Sequence, residues 1–139
     1  MRFATFLRPG RVVHAHCDLP CGVYDPAQAR IEAESVKAIQ EMFQDPSRRK
    51  EVGSQSDLEW GSRALKIKEE RADLVKHHLW VLWTDHFKPN HLDDHPRLHD
   101  LFWKATKAAG EAKRSIDPSQ GEQLLQLVKE IDQIFWDTN

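Results

Sequence analysis

DPSQGEQLLQLVKEIDQIF (residues 117–135) reads as one amphipathic helix. Asp117 suits a cap, because its carboxylate accepts from the first free N–H groups, and Pro118 fits a first turn where its missing N–H costs nothing. Leu124, Leu127, Val128, Ile131 and Phe135 then recur every three to four positions and form one apolar stripe. A helix with one such stripe is stable only against other elements, and the rest of the chain offers three of the same kind.

Working back from Asp117, a helix is predicted from Pro96, using Leu98, Leu101, Phe102 and Ala105, with Gly110 as its stop. Before it, Ser56-Asp57-Leu58-Glu59 has the capping-box pattern, and the helix it opens is expected to run to about Phe87. Its last part, Leu79-Trp80-Val81-Leu82-Trp83, is apolar nearly all round and calls for burial on several sides or at a subunit contact. Asp25-Pro26 repeats the cap-plus-proline start and puts Ala29, Ala33, Val36, Ile39 and Phe43 on one face, with Asp45-Pro46 ending it. Residues 46–56 are polar and read as an exposed connection. No alternating strand pattern competes. The fold class is therefore all-α, an antiparallel four-helix bundle over residues 25–139.

Composition narrows the function. Twenty basic residues against twenty-two acidic ones give a formal charge of −2, which argues against a nucleic-acid binder with its clustered basic face. No apolar run approaches the roughly 18 residues that a membrane span needs, so no membrane partner is expected and a cytoplasmic location is. The first fifteen residues, MRFATFLRPGRVVHA, carry Arg2, Arg8 and Arg11 and no acid. Their apolar stretch is short and broken by Arg8-Pro9-Gly10, which reads against an export signal and for a basic pro-segment, 1–15, removed on maturation by a protease. Residues 16–139 are then the working domain.

The two cysteines, Cys17 and Cys21, lie four positions apart. A disulfide across so small a loop would constrain little of the unfolded chain, so the pair reads as metal-binding or redox-active. Their setting is His16-Cys17-Asp18-Leu19-Pro20-Cys21-Gly22-Val23-Tyr24. Cutting after Ala15 would free an α-amine on His16. That amine, the amide nitrogen of Cys17 and its thiolate can close two fused chelate rings on one ion, and Cys21 can add a second thiolate. Two nitrogens and two sulfurs in a plane favour nickel(II) or copper(II) over tetrahedral zinc, with the His16 imidazole free to reach an axial position. Thiolates and a deprotonated amide also push electron density onto the metal and favour its higher oxidation state. Leu19-Pro20 suits a sharp turn, and a cis bond before Pro20 would provide one.

The run HCDLPCGVYDP resembles the nickel hook of the nickel-containing superoxide dismutases. The likeness continues through AQARIEAESVKAIQE, IKEERADLVKHH, VLWTDHFKP and QIFWDT. It implies an enzyme that disproportionates superoxide to oxygen and hydrogen peroxide, with one nickel ion per subunit. The implied metal ligands are His16, Cys17 and Cys21. Tyr24 would stand over the open face, Asp18 would help hold the hook, Glu32 would orient the histidine ring, and Arg71 would lie in the layer of side chains behind the ligands. The resemblance also implies maturation from a precursor and a homohexamer of four-helix bundles. One departure concerns the position before Phe87, which is usually a second tyrosine near the site and here is His86. Activity is expected to survive it, while the pH profile and the partner of Tyr24 are open to change.

Taken alone, several of these residues have plainer readings. Tyr24 would be a packing residue, and Glu32 with Arg71 a surface ion pair. Of His77-His78, at most one can face inward. His91, His95 and His99 have four-residue spacing, but Pro96 interrupts a single helix through them, so a second metal site is not favoured. The five tryptophans read as core and subunit-contact residues. Two rival functions use the same cysteines: a nickel or copper carrier, and a thiol redox sensor that needs no free amine.

Overall fold

A computed structural model of the chain describes residues 22–48 and 51–138. In chain order its helices are α1 (Ala27–Gln44), α2 (Gln55–Val81), α3 (His91–Asp94), α4 (Leu98–Arg114) and α5 (Pro118–Thr138). A short 3-10 turn, Pro46–Arg48, follows α1, and a π-helical turn, Leu82–His86, ends α2. No strand occurs among the described residues. α3 is a single turn inside the α2–α4 connection, so the bundle is built from α1, α2, α4 and α5.

These four pack in a ring, α1 against α2 and α5, and α4 against α2 and α5. Cross-helix pairs give the directions. Phe43 meets Trp60 while Glu32 meets Arg71, so α1 and α2 run antiparallel. Arg30 pairs with Asp132 and Lys37 with Glu122, which sets α5 antiparallel to α1. Lys113 pairs with Asp73, and His99 lies beside Trp83, so α4 opposes α2 as well. The expected antiparallel four-helix bundle is the observed fold.

Its core follows most of the stripes read from the sequence, with Ile39, Phe43 and Leu127 only half-buried at their margin. Ala29, Ala33 and Val36 of α1, Ala72, Val75, Leu79 and Leu82 of the α2 strip, Leu98, Leu101, Phe102 and Ala105 of α4, and Leu124, Val128, Ile131 and Phe135 of α5 are all buried. Burying each large apolar side chain stabilises the fold by about 1.5–3 kcal/mol before conformational entropy is set against it. Both Asp-Pro starts form. Asp25 Oδ1 accepts from the Ala27 N–H at 2.7 Å, and Asp117 Oδ1 from the Ser119 N–H at 2.9 Å. The Ser119 N–H and hydroxyl hold the Asp117 carboxyl below its ordinary range.

Three expectations shift. The α2 cap is Ser54, not Ser56: Ser54 Oγ accepts from the Asp57 N–H at 3.2 Å, and Asp57 Oδ2 accepts from the Gly53 N–H at 3.1 Å. A carboxylate three residues past a serine is still the device, displaced by two positions. Gly110 does not stop α4, which runs on to Arg114. The glycine stop needs a positive φ, found among the described glycines at Gly22 and Gly53 and not at Gly110, which is buried near the Lys76 Nζ. The tryptophans stay out of the core: Trp80, Trp83 and Trp103 are exposed, and Trp60 and Trp136 are half-buried.

Gly121 marks a close approach of α5 to α1. A Cβ there would meet Gln40 Oε1 and lie 2.7 Å from the Lys37 Cα. Gly121→Ala is therefore expected to lower stability by about 2 kcal/mol, the scale of an overpacked core. Helix propensity alone predicts a gain of up to about 1 kcal/mol. The urea midpoint decides the sign, and a gain would show that α1 and α5 stand further apart than described.

Candidate metal centre

The segment expected to bind metal leads into the end of the bundle where α1 begins and the π-helical turn closes α2. His16, Cys17, Asp18, Pro20 and Cys21 lie outside the described residues, so their expected contacts and the cis bond before Pro20 are not part of the described geometry. The described chain begins at Gly22, whose φ of 68° lies in the left-handed region that glycine adopts without strain. Asp25 and Pro26 then turn the chain into α1, with Tyr24 two residues before the N-cap, Pro26.

Tyr24 is half-buried and packs against the core. Its ring meets His86 edge-on, with centroids 5.7 Å apart and planes inclined by 64°. His86 also lies against Phe135, at 4.2 Å, and Phe87, at 4.9 Å, with the His91 ring 6.0 Å away. The structure thus gives Tyr24 an imidazole neighbour, the one departure that the sequence had marked.

Glu32 and Arg71 come together as expected. Arg71 Nη1 donates to both carboxylate oxygens of Glu32, each at 3.1 Å. The glutamate side chain is 13% exposed and the arginine 43%. A single nitrogen bridging both oxygens pins the carboxylate, while the outer part of the guanidinium stays in water. Such a half-exposed pair adds little stability, about 1 kcal/mol or less, so its rigidity is its main contribution.

The remaining histidines do not converge. His77 is exposed and His78 half-buried, in keeping with at most one facing inward. His91 Nδ1 accepts from the Lys88 N–H at 3.2 Å, and His99 Nδ1 from the Trp83 indole N–H at 2.7 Å. Among the described residues no group of three or more His, Cys, Asp or Glu side chains is placed to hold a metal. A groove of about 560 Å³ between α1 and α2 is lined by Ile39, Met42, Trp60 and Ile67. It lies towards the far end of α1 from Tyr24 and is lined by neither Tyr24 nor Glu32. No helix among the described residues is long and apolar enough to cross a membrane.

Sequence reading missed the π-helical turn, which has no residue signature, and the seating of His86 on Phe135, which depends on it. The adjacent rings of His86 and Phe87 were the nearest available signal.

Comparison with known proteins places these features in a family. The family model described as nickel-containing superoxide dismutase matches residues 11–139. The chain is 56% identical over 126 residues to a superoxide dismutase [Ni] of Streptomyces seoulensis, covering 91% of this chain and 89% of the relative. It is 52% identical over 130 residues to that of Streptomyces coelicolor, covering 94% and 92%. Among solved structures, a native nickel superoxide dismutase superposes with a TM-score of 0.77 at 53% identity, over 88% of this chain and 98% of that one. A structure with nickel ligation in the oxidised state gives 0.78 at 56%, over 88% and 97%. Other solved relatives are variants replacing a first-residue histidine, a third-residue aspartate or a ninth-residue tyrosine. A helical bundle of this likeness, matched by the family model over residues 11–139 and by relatives more than half identical, means that the chain belongs to the nickel-containing superoxide dismutase family.

Proposed function

We propose that the working form of this nickel-dependent superoxide dismutase begins at His16, and that His16, Cys17 and Cys21 hold the metal there. The observation that carries this reading is the donor set of that segment. An α-amine, an amide nitrogen and two thiolates suit nickel(II), whereas zinc sites take tetrahedral sets of side chains. The spacing of first, third and ninth residues in the relatives' variants falls on His16, Asp18 and Tyr24 when counting starts at His16. That supports removal of residues 1–15 and a working domain of residues 16–139.

The enzyme takes two superoxide ions and two protons to one oxygen molecule and one hydrogen peroxide. Nickel, when bound, supplies the one-electron couple between its divalent and trivalent states. The chain's residues do the rest. Tyr24 orders water or the incoming anion at the mouth of the site. Asp18 secures the hook. Glu32, held by Arg71, orients the His16 imidazole. Deprotonated Cys17 and Cys21 bring negative charge to the metal, which is how a protein makes nickel oxidisable. A metal carrier or thiol sensor built on the same cysteines is not favoured, since neither calls for a pinned carboxylate or a tyrosine beside the hook.

Sequencing the N-terminus of nickel-loaded protein tests the reading. His16 is expected first, with dismutation in that form and none in protein that still carries Ala15. Active, nickel-loaded protein starting at Met1 would overturn it. Glu32→Ala is expected to weaken nickel binding by about 10–100-fold, the usual effect of losing a carboxylate behind a ligating histidine. Chelator competition measures this, and unchanged affinity would remove Glu32 from the site.

We extend the proposal to a homohexamer in the cytoplasm, trimmed by a maturation protease. Exposed Leu58, Leu65 and Trp80 share one stripe of α2, and Trp103 is exposed on α4, apolar surface that suits self-association. Sedimentation of the trimmed enzyme at six times the subunit mass is the expected result.

A further inference from the structure

We propose that His86 is a positioning residue for Tyr24, aimed by the π-helical turn and holding the tyrosine ring against the bundle beside the hook. The proposal deepens the reading of Tyr24 as a site residue and rests on it.

The argument starts from the register of α2. Val75, Leu79 and Leu82 follow one another at the helical spacing of four and three, and all are buried. A regular helix would carry residue 86, four beyond Leu82 and seven beyond Leu79, onto the same core stripe. The chain does otherwise. The Phe87 N–H donates to the Leu82 carbonyl at 3.0 Å, a bond across five residues rather than four. The wider turn absorbs one extra residue, so Phe87 takes the core position, 8% exposed with its ring 5.4 Å from Phe102. His86 is turned back by about one residue, roughly 100° on a helix, towards the side of α2 that carries His78 and Arg71 and faces α1.

There the imidazole is fixed from several directions. Phe135 of α5 lies under it at 4.2 Å with planes only 32° apart, and Phe87 closes one edge at 4.9 Å. Tyr24 then meets a ring that is itself held, edge-on at 5.7 Å. A functional side chain keeps its geometry when the groups behind it are locked by packing, and His86 on Phe135 is that support for Tyr24. Tyr24 lies before α1, three residues past Cys21, where no helix of its own fixes its ring.

The chain has a single tyrosine, so ring-labelled ¹³C-tyrosine reports on Tyr24 alone. We compare wild type with His86→Ala, His86→Leu and His86→Phe in the full chain and in the trimmed, nickel-loaded enzyme. His86→Ala and His86→Leu are expected to move the Tyr24 ring signals beyond their linewidth, while His86→Phe, which keeps a flat ring on Phe135, returns them towards wild type. In the trimmed enzyme His86→Ala is expected to lower kcat/KM by about tenfold, in the range produced by ångström-scale misplacement, with nickel content unchanged and His86→Phe recovering most of the loss. Because His86 acts through Tyr24, its loss is not added to that of Tyr24→Ala in the double variant.

Ring signals unmoved by His86→Ala or His86→Leu, or fully additive losses, would overturn the proposal. His86→Leu keeps volume, so a fold too weak to tolerate alanine still gives an answer. If wild-type trimmed enzyme has no dismutase activity, the reading of the hook fails while the tyrosine spectra still decide whether His86 positions Tyr24.

Discussion

Cys17→Ser and Cys21→Ser are each expected to remove nickel and dismutation together. At neutral pH a thiol is a few pH units or less from its ionised form, and a bound metal ion completes the deprotonation. A serine hydroxyl offers a hard, neutral oxygen in its place. Nickel would lose one of two anionic sulfur donors, and with it both affinity and the electron density that makes its trivalent state accessible. Turnover is expected to fall by about 10³-fold or more, to the level of the metal-free chain, the scale on which removing a member of a reacting unit acts. The bundle is expected to keep its stability within about 0.5 kcal/mol, because both cysteines precede α1 in the chain and the apolar stripes that build the bundle begin at Ala29. Elemental analysis, a superoxide assay and thermal unfolding on the same samples check all three. Either variant keeping full nickel and activity would overturn the ligand assignment. A variant keeping nickel without turnover would revive the carrier reading.

The bundle was legible because its signals are local and redundant. Asp25-Pro26 and Asp117-Pro118 announce helix starts by their own chemistry, and both caps form. The apolar stripes of α1, α4 and α5 keep the helical period, so those three helices follow from spacing, while α2 was read from its capping signal. Details that depend on neighbours were not legible. Ser54 and Ser56 both precede an acid three residues on, and the backbone around Gly53, with its φ of 82°, makes Ser54 the cap. Gly110 looks like a stop in isolation, yet its φ is not positive and the helix continues through it to Arg114. The π-helical turn arises from competition between His86 and Phe87 for one core position, and the larger apolar ring takes it. The run proposed to bind metal shows the opposite balance. It is written entirely in residues 16–24, where donor chemistry rather than tertiary packing carries the meaning, while Glu32 and Arg71 needed the fold to bring them within 3.1 Å.

Lys68 is the residue whose role was hardest to read, and its removal is expected to have the largest effect on stability. It lies in a run of charges, Lys66 to Arg71, that looks like a solvated face, but it is only 1% exposed. Its Nζ donates to the Ala112 carbonyl at 3.1 Å and to the Lys113 carbonyl. Gln40, from α1, donates to Ala112 and Ser115 at 3.2 and 3.1 Å. Two side chains from two helices thus satisfy the carbonyls left open at the end of a third, where the helix dipole also favours a cation. Lys68→Ala removes charged hydrogen bonds and leaves a cavity, at an expected cost of about 3–4 kcal/mol. Lys68→Met fills the space but still strands a carbonyl, for about 2 kcal/mol. Lys66→Met, a few residues away with its side chain 77% exposed, is the control and is expected to change little. The pH dependence has a definite sign. Burial lowers the Lys68 pKa from its ordinary 10.5, so on raising the pH the folded chain releases this proton before the unfolded one does. Over the window just below 10.5 the unfolded state binds more protons, and the Lys68 contribution therefore makes stability rise with pH. The neutral amine keeps two N–H donors for its two carbonyls, so the cap survives the loss of charge. Urea midpoints at about pH 8 and about pH 10 should show this rise in wild type relative to Lys68→Met. A difference of the opposite sign would mean that the helix end holds the ammonium more tightly than burial opposes it.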